Sequence, residues 1–176
     1  MVTSEKTASI MMIGDARVGK TCLAKAFMGE AFDENEEPSA QMTCAVKQAK
    51  SENHGEFELR IHDISGKKQF QPVAMNMSSG MDGFVVCFDL TKEETLEAAQ
   101  DLTCELISRC FEHKNIIVVG TKADLEDQRQ ISQEDAKLAV ADCDGSLHYM
   151  ELSAKDGSGV QEALGKIIEL VCQYKF

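Results

Sequence analysis

Eight residues near the amino terminus have the types and spacing of a phosphate-binding loop. Residues Gly14 to Thr21 follow the pattern G-x-x-x-x-G-K-[ST]. Such a loop turns successive backbone N–H groups toward a phosphate, and the helix that begins there adds partial positive charge. Lys20 would bring a cation to the outer phosphates and Thr21 a hydroxyl to Mg²⁺. The loop predicts a nucleotide site without choosing between ATP and GTP.

Two later segments could recognise the base of that nucleotide. Asp124, in the segment Thr121-Lys122-Ala123-Asp124, could accept two hydrogen bonds from the N1–H and 2-amino groups of guanine. Adenine lacks this pair of donors and would leave the carboxylate unpaired. Ser153-Ala154-Lys155 would close the pocket from the other side. Each segment alone is typical of a solvated loop, but their order after a phosphate loop indicates a guanine site.

Apolar runs predict the strands that must position these loops. The runs at 10–13, 83–90 and 115–120 are continuous and rich in Val, Ile and Met, which favours strands buried on both faces of a parallel sheet. The segments 42–50 and 57–62 alternate apolar and polar residues and predict strands joined by a polar turn. Ligands of such sheets bind at the carboxyl ends of the strands.

Helix-period segments separate these strands. Residues 20–29 follow the phosphate loop, and three later helices each begin at a predicted capping box, at Thr91, Ser132 and Ser158. The first of the three is expected to run to about Cys110. The alternation of strands and helices predicts one α/β domain over residues 1–176, built on a doubly wound sheet.

The composition limits the classes of partner. The chain of 176 residues has 18 Lys and Arg against 30 Asp and Glu, a net charge of −12, so we expect no nucleic acid partner and no direct membrane contact through charge. Seven cysteines without a Cys-x-x-Cys pair predict buried free thiols in a reducing compartment. The spacing of Cys104, Cys110 and His113 fits no metal template. No signal peptide or membrane span is visible.

These motifs together resemble the Ras superfamily of small GTPases over essentially the whole chain. Gly14-Asp15, the Gln69-Phe70 step and Phe88-Asp89-Leu90-Thr91 are most similar to the Rab-like branch. The resemblance implies a Rossmann-like P-loop domain with a six-stranded mixed sheet and five helices, which binds GDP or GTP and Mg²⁺. It also implies two switch segments, at 33–42 and 63–77, that contact effector and regulatory proteins.

The resemblance also assigns roles to single residues. Phe32 would stack on the guanine edge, Lys122 would lie along another part of the ring, and Ala154 would give the base a backbone N–H. Ser39, after Pro38, would be a second hydroxyl on Mg²⁺. The expected metal residues are Thr21, Ser39 and, through water, Asp63. The expected nucleotide-binding residues are Ala16, Arg17, Val18, Gly19, Lys20, Thr21, Cys22, Phe32, Ser39, Gly66, Thr121, Lys122, Asp124, Ser153, Ala154 and Lys155.

Three positions depart from the family pattern. Gly66, whose N–H would meet the γ-phosphate, is followed by Lys67 where a water-orienting Gln is usual, and a lysine cannot accept a hydrogen bond. Lys67 would then be a poor catalytic residue or point into solvent. Glu36 stands where many members have an aromatic that covers the nucleotide. Its carboxylate would be repelled by a triphosphate and leave the nucleotide less covered; alternatively, it belongs to a solvated acidic loop. Cys172 is not in a C-a-a-X box, and no basic tail follows it. Apart from these three, Thr121 stands where most members have Asn, but Rho-like members also carry Thr there.

The sequence thus predicts a Rab-like GTPase of membrane traffic or signalling with weak hydrolysis. The alternative is a pseudo-GTPase that holds its nucleotide permanently and acts through protein contacts. An ATP-using P-loop kinase is disfavoured by Asp124 and by the lack of an Arg-rich lid. We expect a cytoplasmic protein whose membrane association, if any, comes from a partner or from a tail outside this sequence.

Overall fold

A six-stranded mixed sheet forms the centre of the protein. The computed structural model describes residues 6–37, 39, 41–109 and 115–176. The strands lie in the order β2-β3-β1-β4-β5-β6, and only the β2–β3 pair is antiparallel. Their bounds are Thr7–Gly14, Thr43–Ser51, Gly55–Asp63, Gly83–Asp89, Ile116–Thr121 and His148–Glu151 for β1 to β6. The predicted fold class is confirmed.

Five α-helices cover the two faces of the sheet in the described part of the chain. Their bounds are Lys20–Met28, Gln71–Met77, Glu93–Arg109, Gln133–Cys143 and Val160–Lys175 for α1 to α5. Every residue of β4 and β5 is buried, as their continuous apolar runs predict. Successive side chains of a strand alternate between faces, so β4 sends Val85 and Cys87 toward α1 and α5, and Phe84, Val86 and Phe88 toward α2, α3 and α4.

Two of the three predicted capping boxes are wrong. Ser132 caps α4, because its Oγ accepts a hydrogen bond from the Asp135 N–H at 3.0 Å. The Thr91 hydroxyl and N–H instead donate to the Asp89 carboxylate, at 2.7 and 2.9 Å, and α3 begins at Glu93. Helix α5 begins after Gly159, which has a left-handed backbone with φ of 71° and no side-chain cap. Contacts within the preceding loops, rather than the local sequence pattern, therefore determine where α3 and α5 begin.

The cysteines agree only partly with the prediction of buried thiols. All six described cysteines are free, but only Cys87 and Cys172 are buried, and Cys44 and Cys104 are exposed. Among the described residues no group of three or more His, Cys, Asp or Glu side chains could hold a metal ion, while Cys110 and His113 lie outside those residues. No helix in the described ranges is both long enough and apolar enough to cross a membrane.

Candidate nucleotide site

The loops at the carboxyl ends of β1, β3, β5 and β6 surround a cleft of about 480 Å³, here called the main cleft. Its volume lies in the usual range for small-molecule sites. All but one of the predicted nucleotide-binding residues line it: Ala16, Arg17, Gly19, Lys20, Thr21, Cys22, Phe32, Ser39, Gly66, Thr121, Lys122, Asp124, Ser153, Ala154 and Lys155. Val18 does not, since its side chain is buried in the core, and a role for its backbone stays a prediction.

The phosphate-type loop connects β1 to α1 at the floor of the main cleft. Lys20, only 6% exposed, bends back so that its Nζ donates to the Asp15 carbonyl at 2.7 Å. Burial lowers the pKa of Lys20, although nearby Cys87, Asp63 and Asp15 act in the opposite direction. A buried cation of this kind is stabilised by an anion within reach. The loop can therefore hold a phosphate, as its spacing predicts.

Three oxygen-bearing side chains converge beside this loop. The Thr21 hydroxyl donates to Asp63 Oδ2 at 2.6 Å and lies 2.6 Å from the Ser39 hydroxyl, which is 3.0 Å from the same Oδ2. Asp63 is 2% exposed, and its Oδ1 has no hydrogen-bond partner among the described residues. A buried carboxylate oxygen without a partner is costly. Hydroxyls and a carboxylate are the ligands that Mg²⁺ prefers, so these residues fit that ion.

At the other end of the main cleft, the two base segments are tied to each other and to the sheet. Ser153 Oγ donates to Asp124 Oδ1 at 2.6 Å, which brings the carboxylate expected to read guanine next to the second segment. The Thr121 hydroxyl lies 2.5 Å from the Val18 carbonyl and 2.8 Å from that of Phe88, and it can donate to one of them at a time. The threonine at this position therefore links the base segment to the phosphate loop.

Lys122 is anchored by a buried carboxylate on β4. Its Nζ donates to Asp89 Oδ2 at 2.6 Å, and its backbone is left-handed, with φ of 61°. The Asp89 side chain is 1% exposed. Burial by itself would raise the pKa of Asp89, but the hydrogen bonds from Lys122 and Thr91 outweigh it and hold the pKa below its usual value. Asp89 thus remains ionised and fixes the lysine at the edge of the cleft.

One support of the base site was missed by the sequence analysis. Arg129 makes a two-pronged ion pair with the Glu151 carboxylate, with N–O distances of 2.9 and 2.5 Å, and Tyr149 also donates to Glu151. Arg129 follows the first base segment and Glu151 precedes the second, so the pair holds the two loops together. The sequence gives no local signal for it, because the partners are 22 residues apart and belong to different elements.

Two acidic residues of the first switch form ion pairs with lysines. Glu36 forms an ion pair with Lys25 on α1, and Glu34 pairs with Lys155 at 2.7 Å. Both glutamates line the main cleft, but each carboxylate faces a lysine, which reduces the repulsion expected toward a nucleotide. Phe32 is 39% exposed at the rim. Pro38, which supports the position of Ser39 in the sequence motif, lies outside the described residues.

The second switch packs against the phosphate loop. A side-chain carbon at Gly66 would lie 2.4 Å from the carbonyl carbon and oxygen of Asp15, so only glycine allows this approach. Lys67 is exposed and lines the main cleft. Lys67 therefore lies between solvent and the main cleft, next to the glycine that packs against the phosphate loop. The buried Ser65 hydroxyl has no partner within the described part of the chain.

Known proteins resemble this chain over most of its length. The model of the Ras family matches residues 9–173. Human Ras-related protein Rab-3A is 27% identical over 164 residues, which cover 93% of this chain and 73% of that protein. Ras-related protein RABA5b of Arabidopsis thaliana is 32% identical over 159 residues, covering 90% and 72%. Rat GTP-binding protein Rab-3D is 24% identical over 163 residues, covering 93% and 73%.

Proposed function

The chain belongs to the Ras family of small GTPases, in its Rab branch, and we propose that it is a guanine-nucleotide switch with slow intrinsic hydrolysis. Membership of the family indicates a GTPase switch of membrane traffic in general terms. The observation that most strongly supports the specific proposal is a single cleft with oxygen ligands for Mg²⁺ at one end and the linked Asp124 and Ser153 at the other.

The base end of the cleft would select guanine. Asp124 would accept the N1–H and 2-amino hydrogen bonds, while Ser153 holds its other oxygen and so fixes the orientation of the carboxylate. Phe32 and Lys122 would cover the ring, and Ala154 and Lys155 would close the second side. A site that leaves a carboxylate unpaired with adenine rejects it strongly, by about 10⁴-fold where hydrogen bonds are built for the correct ligand.

The phosphate end would bind the charged part of the nucleotide. Lys20 and the backbone N–H groups of residues 16–22 would hold the phosphates, with Lys20 released from the Asp15 carbonyl that it now contacts. Thr21, Ser39 and Asp63 would hold Mg²⁺, the last through water. The ion, when bound, neutralises charge on the outer phosphates. Gly66 would donate its N–H to a γ-phosphate and so couple the second switch to the nucleotide state.

Hydrolysis would be slow because the water-orienting group is missing. An amide at position 67 would both accept and donate hydrogen bonds, whereas Lys67 only donates. Its cation could also stabilise the γ-phosphate before it reacts. We expect a rate at or below the intrinsic Ras rate, about 3–5 × 10⁻⁴ s⁻¹.

Single-turnover hydrolysis of bound GTP tests this proposal. Lys67→Gln should raise the rate above that of the native chain, whereas Lys68→Gln, which changes the neighbouring exposed lysine, should leave it unchanged. A native rate well above the Ras value, or slower hydrolysis in Lys67→Gln, would show that another group positions the water.

A pseudo-GTPase is the second candidate, favoured by the altered segment Asp63-Ile64-Ser65-Gly66-Lys67. Such a protein would hold nucleotide as a structural part and bind partners equally in both states. A switch would bind effectors and regulators through segments 33–42 and 63–77 in one state only. Capture of partners from cytoplasm, with the protein loaded with GDP or with a non-hydrolysable GTP analogue, separates the two. We place this activity in the cytoplasm, with membrane association supplied by a partner or a further tail.

A further inference from the structure

Two cysteines from different helices meet on the surface formed by α3 and α4. Cys143, the last residue of α4, places its Sγ 3.8 Å from the Gln100 carbonyl of α3 and 3.6 Å from the Ala139 carbonyl of its own helix. The Gln100 side chain donates to the same Ala139 carbonyl at 2.9 Å, which fixes the spacing of the helices at this level. Cys104 lies one helical turn after Gln100, on the same face of α3. The two thiols are therefore neighbours.

The two thiols differ in their surroundings. Cys104 is exposed and Cys143 is half-buried. Burial raises the pKa of Cys143, and the neighbouring Cys104 thiol and the nearby Asp142 and Asp101 act in the same direction. The more accessible Cys104 is therefore the thiol that an external disulfide reaches first. Neither cysteine lines the main cleft.

We propose that Cys104 and Cys143 are a redox-active pair that forms a reversible disulfide between α3 and α4 by exchange with glutathione disulfide. The Cys104 thiolate attacks one sulfur of glutathione disulfide, forming a mixed disulfide and releasing one glutathione thiolate. Cys143 then loses its proton and attacks the Cys104 sulfur, which forms the intramolecular disulfide and releases the second glutathione thiolate. The protein loses two electrons and two protons, and one glutathione disulfide is reduced to two glutathione molecules.

Cys44 provides an internal comparison. It is also exposed, but it lies on β2, where its Sγ is 3.9 Å from the His62 ring rather than beside Cys104 or Cys143. An exposed thiol without a neighbouring thiol keeps the glutathione that it acquires, because no second thiol displaces it. The two kinds of site therefore give different products with the same reagent.

The test treats the GDP-loaded chain with glutathione disulfide and maps the cysteines by peptide mass spectrometry without reduction. We expect a cross-linked pair of peptides containing Cys104 and Cys143, and a glutathione adduct on Cys44. In Cys143→Ala, Cys104 should instead retain glutathione, while Cys44→Ser should leave the cross-link unchanged. The bond closes a segment of about 40 residues and should raise the Tm by roughly 5–10 °C, reversibly with dithiothreitol.

Phenylarsine oxide gives a second measurement that needs no oxidant, since trivalent arsenic bridges two adjacent thiols with release of water. One equivalent should bind, and Cys104→Ser or Cys143→Ala should abolish its retention. Glutathione adducts on both Cys104 and Cys143, or unmodified thiols at both when Cys44 has reacted, would overturn the proposal. GDP affinity should be the same in all these variants, so failure here is distinct from failure of the nucleotide site.

Discussion

Loss of the Lys122 cation should destabilise the protein by an amount set by the buried Asp89 carboxylate. Asp89, with 1% of its side chain exposed, receives hydrogen bonds from Lys122 Nζ and from the N–H and hydroxyl of Thr91, at 2.6, 2.9 and 2.7 Å. In Lys122→Met the carboxylate remains buried without its counter-charge. Breaking a buried pair in this way costs about 3–5 kcal/mol, and the partial exposure of the lysine, 33%, favours the lower end.

Removing the carboxylate instead of the lysine should cost less stability. Asp89→Asn keeps the shape of the side chain and leaves a lysine that can turn toward solvent, so the loss is that of hydrogen bonds to a charged group, about 1.5–3 kcal/mol. Because the lysine is proposed to lie along the base, the freed side chain should also speed GDP dissociation by about tenfold, equivalent to about 1.4 kcal/mol.

Urea unfolding at fixed GDP and Mg²⁺, and release of a fluorescent GDP, measure the two effects. The double variant should lose less stability than the sum of the single variants, because each already breaks the same interaction. Lys92→Met, which changes an exposed lysine near Asp89, should be close to neutral. Additive losses, or a stability of Lys122→Met equal to that of the native chain, would refute the proposed pairing.

Three further predictions concern the base, the metal and acid stability. Asp124→Ala should weaken GDP binding at least tenfold, as measured by isothermal titration calorimetry, whereas substitution of the exposed Asp127 by Ala should not. Unchanged GDP affinity in Asp124→Ala would contradict the assignment of the base site. Chelation of Mg²⁺ should speed GDP release, and a release rate that does not respond to chelator would contradict the metal site. Thr21→Ala should weaken Mg²⁺ binding in both nucleotide states, whereas Ser39→Ala should weaken it only with GTP bound. The pKa of Asp89 is lower in the folded than in the unfolded protein. The stability that this shift provides is present above the unfolded pKa of about 3.9 and is lost as the pH falls through the lower folded pKa. The difference in stability between the native chain and Asp89→Asn should therefore shrink in acid, and a constant difference between pH 7 and pH 3 would contradict this prediction.

The sheet could be predicted from sequence because its signal is local. The apolar runs that form β4 and β5 have few alternatives to burial on both faces, and all their residues are buried. The phosphate loop is similarly local, since its glycines, Lys20 and Thr21 all act within one turn between a strand and a helix. Periodicity and spacing were therefore sufficient for these parts.

The remaining contacts depend on residues that are distant in the chain. Thr91 has the pattern of a helix cap, but its hydroxyl and N–H donate to the Asp89 carboxylate two residues earlier, and α3 begins only at Glu93. The Lys25 and Lys155 partners of the first switch and the Arg129–Glu151 pair join different elements. Complementary charges are common in any sequence, so only the fold determines which of them meet.

The most direct test of the central claim is the affinity of the nucleotide-free chain for GDP and for ADP, measured side by side with Mg²⁺ present. The site requires GDP to bind far more tightly, by about 10⁴-fold, because ADP would leave Asp124 unpaired in the cleft. Equal affinities for the two nucleotides, or tighter binding of ADP, would contradict the account.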